Sequence, residues 1–180
     1  MMEDKRSKNV ALVSFCIMCQ AFQARGIVKY DWKATIKPIL RELIENEINI
    51  IQLPCPESSY NGFCEGLKRE PMGLSKYDTK DFHEHCQKLV LDSIKIVEGL
   101  IENGYKINAI IGIENSPSCA VNYIYTRKGM LNRKGIFMTH LEEQLITRGI
   151  TIPFVGVNRK SPRKSVEQLH DAIIKYETFF

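Results

Sequence analysis

The sequence predicts a small α/β domain in which helices cover both faces of a parallel sheet of about four strands. Short, continuous apolar runs alternate four times with longer segments whose apolar residues recur at helical spacing. No internal repeat or low-complexity linker interrupts the 180 residues. Because this length suits one hydrophobic core, we expect a single domain over residues 1–180.

The first half of the chain predicts two strands with a helix between them. Residues 9–15 are a continuous apolar run, which is typical of a strand covered on both faces. Residues 32–46 carry apolar side chains at helical spacing with charged residues on the other side, so we expect an amphipathic helix. The stretch INIIQLPCPE predicts a second strand, which Pro54 and Pro56 end.

The second half continues the alternation. A long helix is predicted over residues 79–103, where an Asn-Gly pair ends it. INAIIGI is the third strand, and a helix over residues 137–148 follows and ends before Gly149. ITIPFVGVN is the fourth strand, after which a Ser-Pro pair begins a last helix that runs toward Tyr176. This order indicates a doubly wound sheet, Rossmann-like or flavodoxin-like.

Composition limits the function classes. The net charge is +4 and the basic residues are scattered, so nucleic-acid binding is not indicated. No apolar stretch approaches the roughly 20 residues that span a bilayer, and we expect no membrane partner. The apolar run before Cys16 is too short for a secretory signal, which predicts a cytoplasmic protein. Its six cysteines are then reduced, and metal or redox roles are favoured.

Three cysteines follow three different strands. Cys16 ends the first in VSFCIMC, Cys55 follows the second in QLPCPES, and Cys119 lies a few residues past the third in ENSPSCA. In a 2-1-3-4 strand order these loops meet at one edge of the sheet, with neighbouring strands about 4.8 Å apart. Thiolates bind zinc, copper(I) and iron–sulfur clusters. The alternative is that the cysteines are small buried apolar residues.

Two polar residues accompany these thiols. Glu57 follows Cys55 by two positions, and Ser118 directly precedes Cys119. We expect both at the rim of the thiol pocket, where a carboxylate and a hydroxyl can transfer protons or orient a substrate. By itself, Glu57 is equally consistent with a helix cap or a solvated loop acid.

Together these stretches resemble the thiouracil desulfurases, a family of small bacterial enzymes. The similarity spans roughly residues 9–120, about two-thirds of the chain. It rests on five motifs in order: Ser14-Phe15-Cys16, Tyr30-Asp31, Cys55-Pro56-Glu57, the stretch EGLKREP and Ser116-Pro117-Ser118-Cys119.

The resemblance implies a 4Fe–4S cluster held by Cys16, Cys55 and Cys119, with the fourth iron free of protein ligands. Such enzymes remove sulfur from a thiolated pyrimidine base, nucleoside or similar small molecule, converting C=S to C=O without net electron transfer. Glu57 and Ser118 would then handle protons and activate the water that replaces sulfur. A homodimer is compatible with this interpretation.

The chain departs from the family pattern near the first two cysteines. Phe15, Met18 and Cys19 stand where family members have small residues and a glycine. Trp32 replaces a glycine after the Tyr-Asp pair, and the stretch SSYNGFC adds Cys64. These differences indicate a related branch of the family and leave its specific substrate open.

Other cysteine functions stay open. If Cys19 or Cys64 supplies a fourth ligand, the site is closed and the protein is a non-catalytic iron–sulfur or metal-binding sensor or carrier. A third hypothesis is a thiol-redox protein built on the pair Cys16 and Cys19. Cys86 lies in a predicted helix, where we expect it to be buried.

Residues around the predicted pocket complete the set of candidates. Asp31, with Lys29, is expected to contribute to catalysis because the long first loop must fold over the sheet edge. Tyr123 and Tyr125 follow the third cysteine in what we predict as the first turns of a helix, either as core residues or stacked on a flat heterocycle. The basic loop NRKSPRKS follows strand four at the same edge, so Arg159, Arg163 or a neighbour is a candidate for contacting the phosphate of a nucleotide substrate; the alternative is a solvated basic face.

Overall fold

A parallel sheet lies at the centre of the structure, a computed structural model that describes residues 4–28, 30–126 and 128–175. Its order is the predicted one: the second strand, the first, the third and the last along the chain, all parallel. A separate antiparallel pair precedes the last strand. In chain order the strands are β1 (Asn9–Ser14), β2 (Asn49–Leu53), β3 (Lys106–Ile113), β4 (Ile124–Thr126), β5 (Gly129–Leu131) and β6 (Phe154–Val157).

Helices connect and cover these strands. In the described residues, none is long and apolar enough to cross a bilayer. They are α1 (Phe15–Met18), α2 (Lys37–Glu45), α3 (Pro56–Tyr60), α4 (Phe63–Leu67), α5 (Leu74–Tyr77), α6 (Lys80–Glu102), α7 (Ile136–Ile146) and α8 (Pro162–Lys175).

The core lies on both faces of the sheet. β1 and β3 are buried along almost their whole length, which requires cover on each side. Helices α2 and α8 pack together as one covering layer, and α6 packs with α7 as the other. The predicted α/β fold with a four-stranded parallel sheet is therefore confirmed.

Helix α6 is the longest connection and agrees closely with its prediction. The hydroxyl of Thr79 accepts a hydrogen bond from the backbone N–H of Phe82 at 3.4 Å, which caps the first turn. Gly104 follows the helix with φ of +74°, a left-handed conformation that glycine adopts without steric cost. Val90 and Val97 lie on the buried face of this helix and are fully buried, as the apolar spacing predicts.

Two predicted helices differ from the structure. The helix predicted over residues 32–46 begins only at Lys37, because Pro38 suits a first turn and the preceding Tyr30–Trp32 segment forms a separate 3₁₀ turn. The prediction that Tyr123 and Tyr125 begin a helix is wrong. This segment enters the antiparallel pair β4–β5, whose strands are too short and too exposed to give a clear alternating pattern.

The cap of α6 gives a test of the fold. Replacing Thr79 by alanine removes the acceptor for the Phe82 N–H, so we expect the free energy of unfolding to fall by about 1 kcal/mol. Thr79→Ser keeps the hydroxyl and should stay within about 0.5 kcal/mol of wild type. Urea unfolding followed by circular dichroism measures both, and equal stability of the two variants would contradict the capping role.

Candidate functional site

A cavity of about 290 Å³ opens at the carboxyl edge of the parallel sheet. Its lining includes Cys16 after β1, Cys55 after β2 and Cys119 after β3. Glu57 and Ser118 line the same cavity. The structure therefore brings together five of the six residues that the sequence nominates as cluster ligands or catalytic residues.

The other cysteines are placed differently. All six belong to the described residues, and Cys19, Cys64 and Cys86 are not part of the cavity lining. Cys86 is fully buried in α6, as predicted. Cys64 is exposed on α4, and Cys19 is half-buried at the end of α1.

Burial is the main reason why the pKa values of the three cavity thiols are raised. It raises the pKa of Cys16 well above its usual value, and the neighbouring thiols of Cys119 and Cys55 raise it further. Burial also raises the pKa of Cys55, and it raises the pKa of Cys119 to about 12. The three sulfurs therefore lie within electrostatic range of one another. Thiols of this kind become thiolates when a metal cation displaces their protons.

A buried ion pair stands beside the thiols. The Nε of Arg69 donates to Oε2 of Glu57 at 3.2 Å, and the two side chains are only 8% and 12% exposed. A buried charge is stable when its partner and its remaining hydrogen-bonding groups are satisfied. The pair therefore fixes the orientation of the carboxylate at the cavity.

The remaining donors of Arg69 connect separate segments of the chain. Nη1 donates to Oγ of Ser58 and to the carbonyl of Gly66, both at 2.8 Å. Nη2 donates to the carbonyl of Phe22 at 2.6 Å and lies 4.0 Å from Sγ of Cys55. One guanidinium thus holds α3, α4 and the loop after α1 around the cavity. The sequence indicated only a basic residue in this motif, without these partners.

The other oxygen of Glu57 contacts two serines. Oε1 accepts a hydrogen bond from Ser118 Oγ at 2.7 Å and another from Ser116 Oγ at 3.1 Å. Ser118 Oγ also lies 3.6 Å from Sγ of Cys119. A hydroxyl between a carboxylate and a thiol is well placed to relay a proton. Sequence analysis did not identify Ser116 as a contact of Glu57.

A buried carboxylate closes the loop that carries Cys119. Glu114 follows β3 and is 2% exposed. It accepts hydrogen bonds from the backbone N–H and side-chain amide of Asn122 and from the N–H of Tyr123. These bonds join the two ends of the loop.

Two glycines let this loop lie directly on its neighbours. A Cβ on Gly112, in β3, would overlap the carbonyl oxygen of Cys119, and one on Gly135 would overlap the backbone of Ser118. Because Gly135 has no side chain, the first N–H groups of α7 reach the loop, where Ile136 donates to the carbonyl of Pro117 at 3.0 Å. The position of the third thiol therefore depends on close backbone packing.

An arginine from the loop after β6 also belongs to the cavity lining. Arg159 reaches the cavity as the sequence predicts, and its Nη1 donates to Oε1 of Gln23 at 2.7 Å. Burial lowers the pKa of Arg159, an effect that Cys16 and Glu57 oppose. Tyr125 is an exposed residue of the lining.

Asp31 is the one nominated catalytic residue that the structure does not bring to the cavity. It is exposed in the 3₁₀ turn and is absent from the lining, so its role stays a prediction. Lys29, nominated with it, lies outside the described residues.

The three cavity thiols are candidate ligands for a metal group because of their donor chemistry. In the described parts of the chain, no three histidine, cysteine or acidic side chains are close enough to hold one metal ion. Three soft donors that line a common cavity are the ligand type that iron–sulfur clusters use.

The fold and the cavity define an α/β protein with a thiol-lined site at the carboxyl edge of its sheet. No family model matches the chain. It is 32% identical to a Methanocaldococcus jannaschii protein described as uncharacterized protein MJ0003. The 169 aligned residues cover 93% of this chain and 99% of that protein. The chain therefore belongs to the same family as that archaeal protein.

A solved structure is also similar to the chain. It is described as the [4Fe-4S]-dependent thiouracil desulfidase TudS, and it matches with a TM-score of 0.47 and 17% identity. The match covers 89% of this chain and 97% of the other. A likeness at this level supports no conclusion about this chain.

The two loop-contacting glycines provide a test of the site's packing. Gly112→Ala or Gly135→Ala forces a Cβ into the backbone of the Cys119 loop, so we expect a loss of about 1–3 kcal/mol in the free energy of unfolding. Gly99→Ala, in open space on α6, is the matched control and should stabilise by about 0.5–1 kcal/mol. Urea unfolding of the three variants measures these changes. Unchanged stability for both loop-contacting variants would contradict the close packing.

Proposed function

We propose that the protein is a 4Fe–4S-dependent desulfurase that replaces the sulfur of a thiolated heterocycle with oxygen. The observation that carries this proposal is the cavity in which Cys16, Cys55 and Cys119 stand beside the hydrogen-bonded pair of Glu57 and Ser118. The five sequence motifs shared with thiouracil desulfurases agree with it.

The ligand set supports an enzyme rather than an electron carrier. Cys16, Cys55 and Cys119 would hold three irons of the cluster, while Cys19 and Cys64 do not line the cavity. When bound, such a cluster supplies an iron without a protein ligand, which can act as a Lewis acid toward a thiocarbonyl sulfur. An open coordination position is typical of catalytic rather than structural metal sites.

The proposed reaction is a hydrolysis. Water adds its oxygen to the thiocarbonyl carbon, the C–S bond breaks, and the sulfur leaves as hydrogen sulfide with the two protons of the water. The reaction needs no oxidant or reductant. It does require a group that takes a proton from the attacking water and returns a proton to the departing sulfur.

Ser118 and Glu57 suit this proton transfer. The Ser118 hydroxyl donates to Oε1 of Glu57 at 2.7 Å, so a proton taken up by Ser118 from water passes directly to the carboxylate. Arg69 occupies the other oxygen of Glu57 and leaves Oε1 as the proton acceptor. Burial of the pair excludes bulk water, which strengthens these electrostatic interactions.

Cluster assembly tests the ligand set. We expect Cys16→Ser, Cys55→Ser and Cys119→Ser each to lose most bound iron and acid-labile sulfide after anaerobic reconstitution, because each removes one thiolate ligand. Cys64→Ser, which changes an exposed thiol outside the cavity, should retain both at the wild-type level. Iron and sulfide analysis measures the result. A wild-type protein without a cluster, or a full cluster in Cys119→Ser, would refute the ligand assignment.

Proton transfer is tested separately from the cluster. We expect Ser118→Ala and Glu57→Gln to reduce sulfide release from 4-thiouracil or 4-thiouridine by about 10²–10⁴-fold, the usual contribution of general acid–base catalysis. The iron content of Ser118→Ala should stay at the wild-type level, since a serine is not a ligand.

The control for this experiment is Ser59→Ala. The hydroxyl of Ser59 bonds to the carbonyl of Cys55 and to His85 but does not line the cavity, so this variant should keep its activity. Full activity in Ser118→Ala with an intact cluster would exclude the relay. Loss of iron from Glu57→Gln would indicate a structural role for its ion pair with Arg69.

A further inference from the structure

Two arginines in the described lining of the cavity differ in how their charge is compensated. All three guanidinium nitrogens of Arg69 donate hydrogen bonds, and its partner Glu57 neutralises its charge. Arg159 makes one hydrogen bond to the described residues, from Nη1 to Oε1 of Gln23 at 2.7 Å, and no ion pair with a carboxylate among them. Its Nε and Nη2 are therefore unused donors within that part of the chain. A partly buried guanidinium without a carboxylate partner points to an anionic ligand.

The charged end of Arg159 lies on the thiol side of the cavity. Its positive charge limits the rise in the pKa of Cys16, while Cys16 and Glu57 limit the fall that burial causes in the pKa of Arg159. Both effects require the guanidinium to lie within electrostatic range of those two groups. The side chain is only half-buried and belongs to the lining, so it is accessible to a ligand in the cavity.

A neutral amide holds the Arg159 side chain in this position. Gln23 is 7% exposed, and its backbone N–H donates to the carbonyl of Gln20 at 3.0 Å, which fixes the residue in the loop after α1. A guanidinium only donates hydrogen bonds, so the carbonyl end of the amide faces Arg159. The amide therefore orients the guanidinium but leaves its positive charge uncompensated.

Arg159 also leaves the charges of the lining unbalanced. Apart from the thiols, the described lining contains three ionisable side chains, and two of them, Glu57 and Arg69, form the buried ion pair. Arg159 is the third, and no lysine or further acidic residue of the described chain lines the cavity. One uncompensated positive charge suits one negative charge, whereas a phosphate ester brings about 1.5–2. The site therefore fits a monovalent anion better than the nucleotide phosphate that the sequence nominates for Arg159.

We propose that Arg159, oriented by Gln23, binds a small monovalent anion in the cavity, and that in the reaction this anion is the hydrosulfide that leaves the substrate. The choice of hydrosulfide rests on the proposed function, whereas the anion site itself does not. A guanidinium is weakly hydrated, which favours its pairing with a soft anion. Hydrosulfide has one heavy atom, so it takes little of the space that a metal group would share.

The step at Arg159 balances without an oxidant or reductant. The attacking water gives one proton through Ser118 to Glu57, and its oxygen bonds to the thiocarbonyl carbon. The C–S bond then breaks with both electrons remaining on sulfur, and the second proton of the water moves to that sulfur, giving the carbonyl product and HS⁻. Arg159 stabilises this negative charge as it develops, because a preorganised donor needs no rearrangement at that moment. Return of the Glu57 proton to HS⁻ completes the hydrolysis.

Anion titration of the metal-free protein tests the site without the cluster. Under anaerobic conditions in chloride-free buffer, we expect isothermal titration calorimetry to detect binding of sodium hydrosulfide and of bromide, and no tighter binding of inorganic phosphate. Arg159→Gln should weaken hydrosulfide binding at least about tenfold, because it removes the charge. The matched control is Arg148→Gln, which should bind hydrosulfide as wild type does. Nη1 of Arg148 also donates to a glutamine oxygen, Oε1 of Gln144, at 2.7 Å, but Arg148 lies outside the cavity.

Two further variants separate charge from shape. Gln23→Glu keeps the arginine but gives it a carboxylate partner, so hydrosulfide affinity should again fall at least about tenfold. Arg159→Lys keeps the positive charge, and its affinity should stay closer to that of wild type than to that of Arg159→Gln. Circular dichroism verifies the fold of each variant before titration. The two substitutions at Arg159 decide the question even if Gln23→Glu does not fold.

The reconstituted enzyme tests the choice of hydrosulfide. With 4-thiouracil as substrate, the inhibition constant of hydrosulfide for Arg159→Gln should be at least about tenfold higher than for wild type, and kcat should be lower. An active Arg159→Gln enzyme that hydrosulfide inhibits as strongly as wild type would overturn the inference.

The outcomes distinguish this inference from the proposed function. Absence of hydrosulfide binding, wild-type affinity in Arg159→Gln, or tighter binding of phosphate than of hydrosulfide overturns the inference, and the last result would indicate a nucleotide phosphate at Arg159. Anion binding that depends on Arg159, in a protein that takes up no cluster and releases no sulfide, refutes the proposed function and with it the choice of hydrosulfide, but supports the anion site.

Discussion

The buried ion pair between Arg69 and Glu57 is the interaction on which the site depends. The guanidinium uses its donors on groups from α3, from α4 and from the loop after α1, and these segments have no continuous secondary structure between them. Removing one partner of such a pair usually costs about 3–5 kcal/mol, because the other charge is left buried and uncompensated. The same contact that holds the loops in place also orients the second oxygen of Glu57 toward Ser118. In the proposed function, the stability of the cavity and proton transfer within it are therefore coupled through one side chain.

The parallel sheet explains why three distant thiols share a cavity. In β1, β2 and β3 the chain runs in one direction, so the residues that follow each strand emerge at the same edge. A different structural feature then fixes each of the three loops. Arg69 holds the loop of Cys55, close packing against Gly112 and Gly135 holds that of Cys119, and the short helix α1 carries Cys16.

Sequence patterns predicted the strand order, the long helix α6 and the grouping of the cysteines, because these follow from apolar periodicity and from the geometry of parallel sheets. They did not predict the partners of Arg69 or the contact of Ser116 with Glu57, since those depend on how distant segments pack. The short helices α3 to α5 span only four or five residues each, too few for a helical period to be recognised. The unused donors of Arg159 become visible only once every neighbouring group has been placed.

The exposed thiol of Cys64 affects how the assembly state of this protein is measured. A solvent-facing cysteine on a short helix can form an intermolecular disulfide with a second copy in air. Such a covalent pair would run as a dimer in gel filtration without any packed interface between the subunits. A dimer that persists in reductant reports a true association surface, whereas one that dissociates reports surface oxidation at this sulfur.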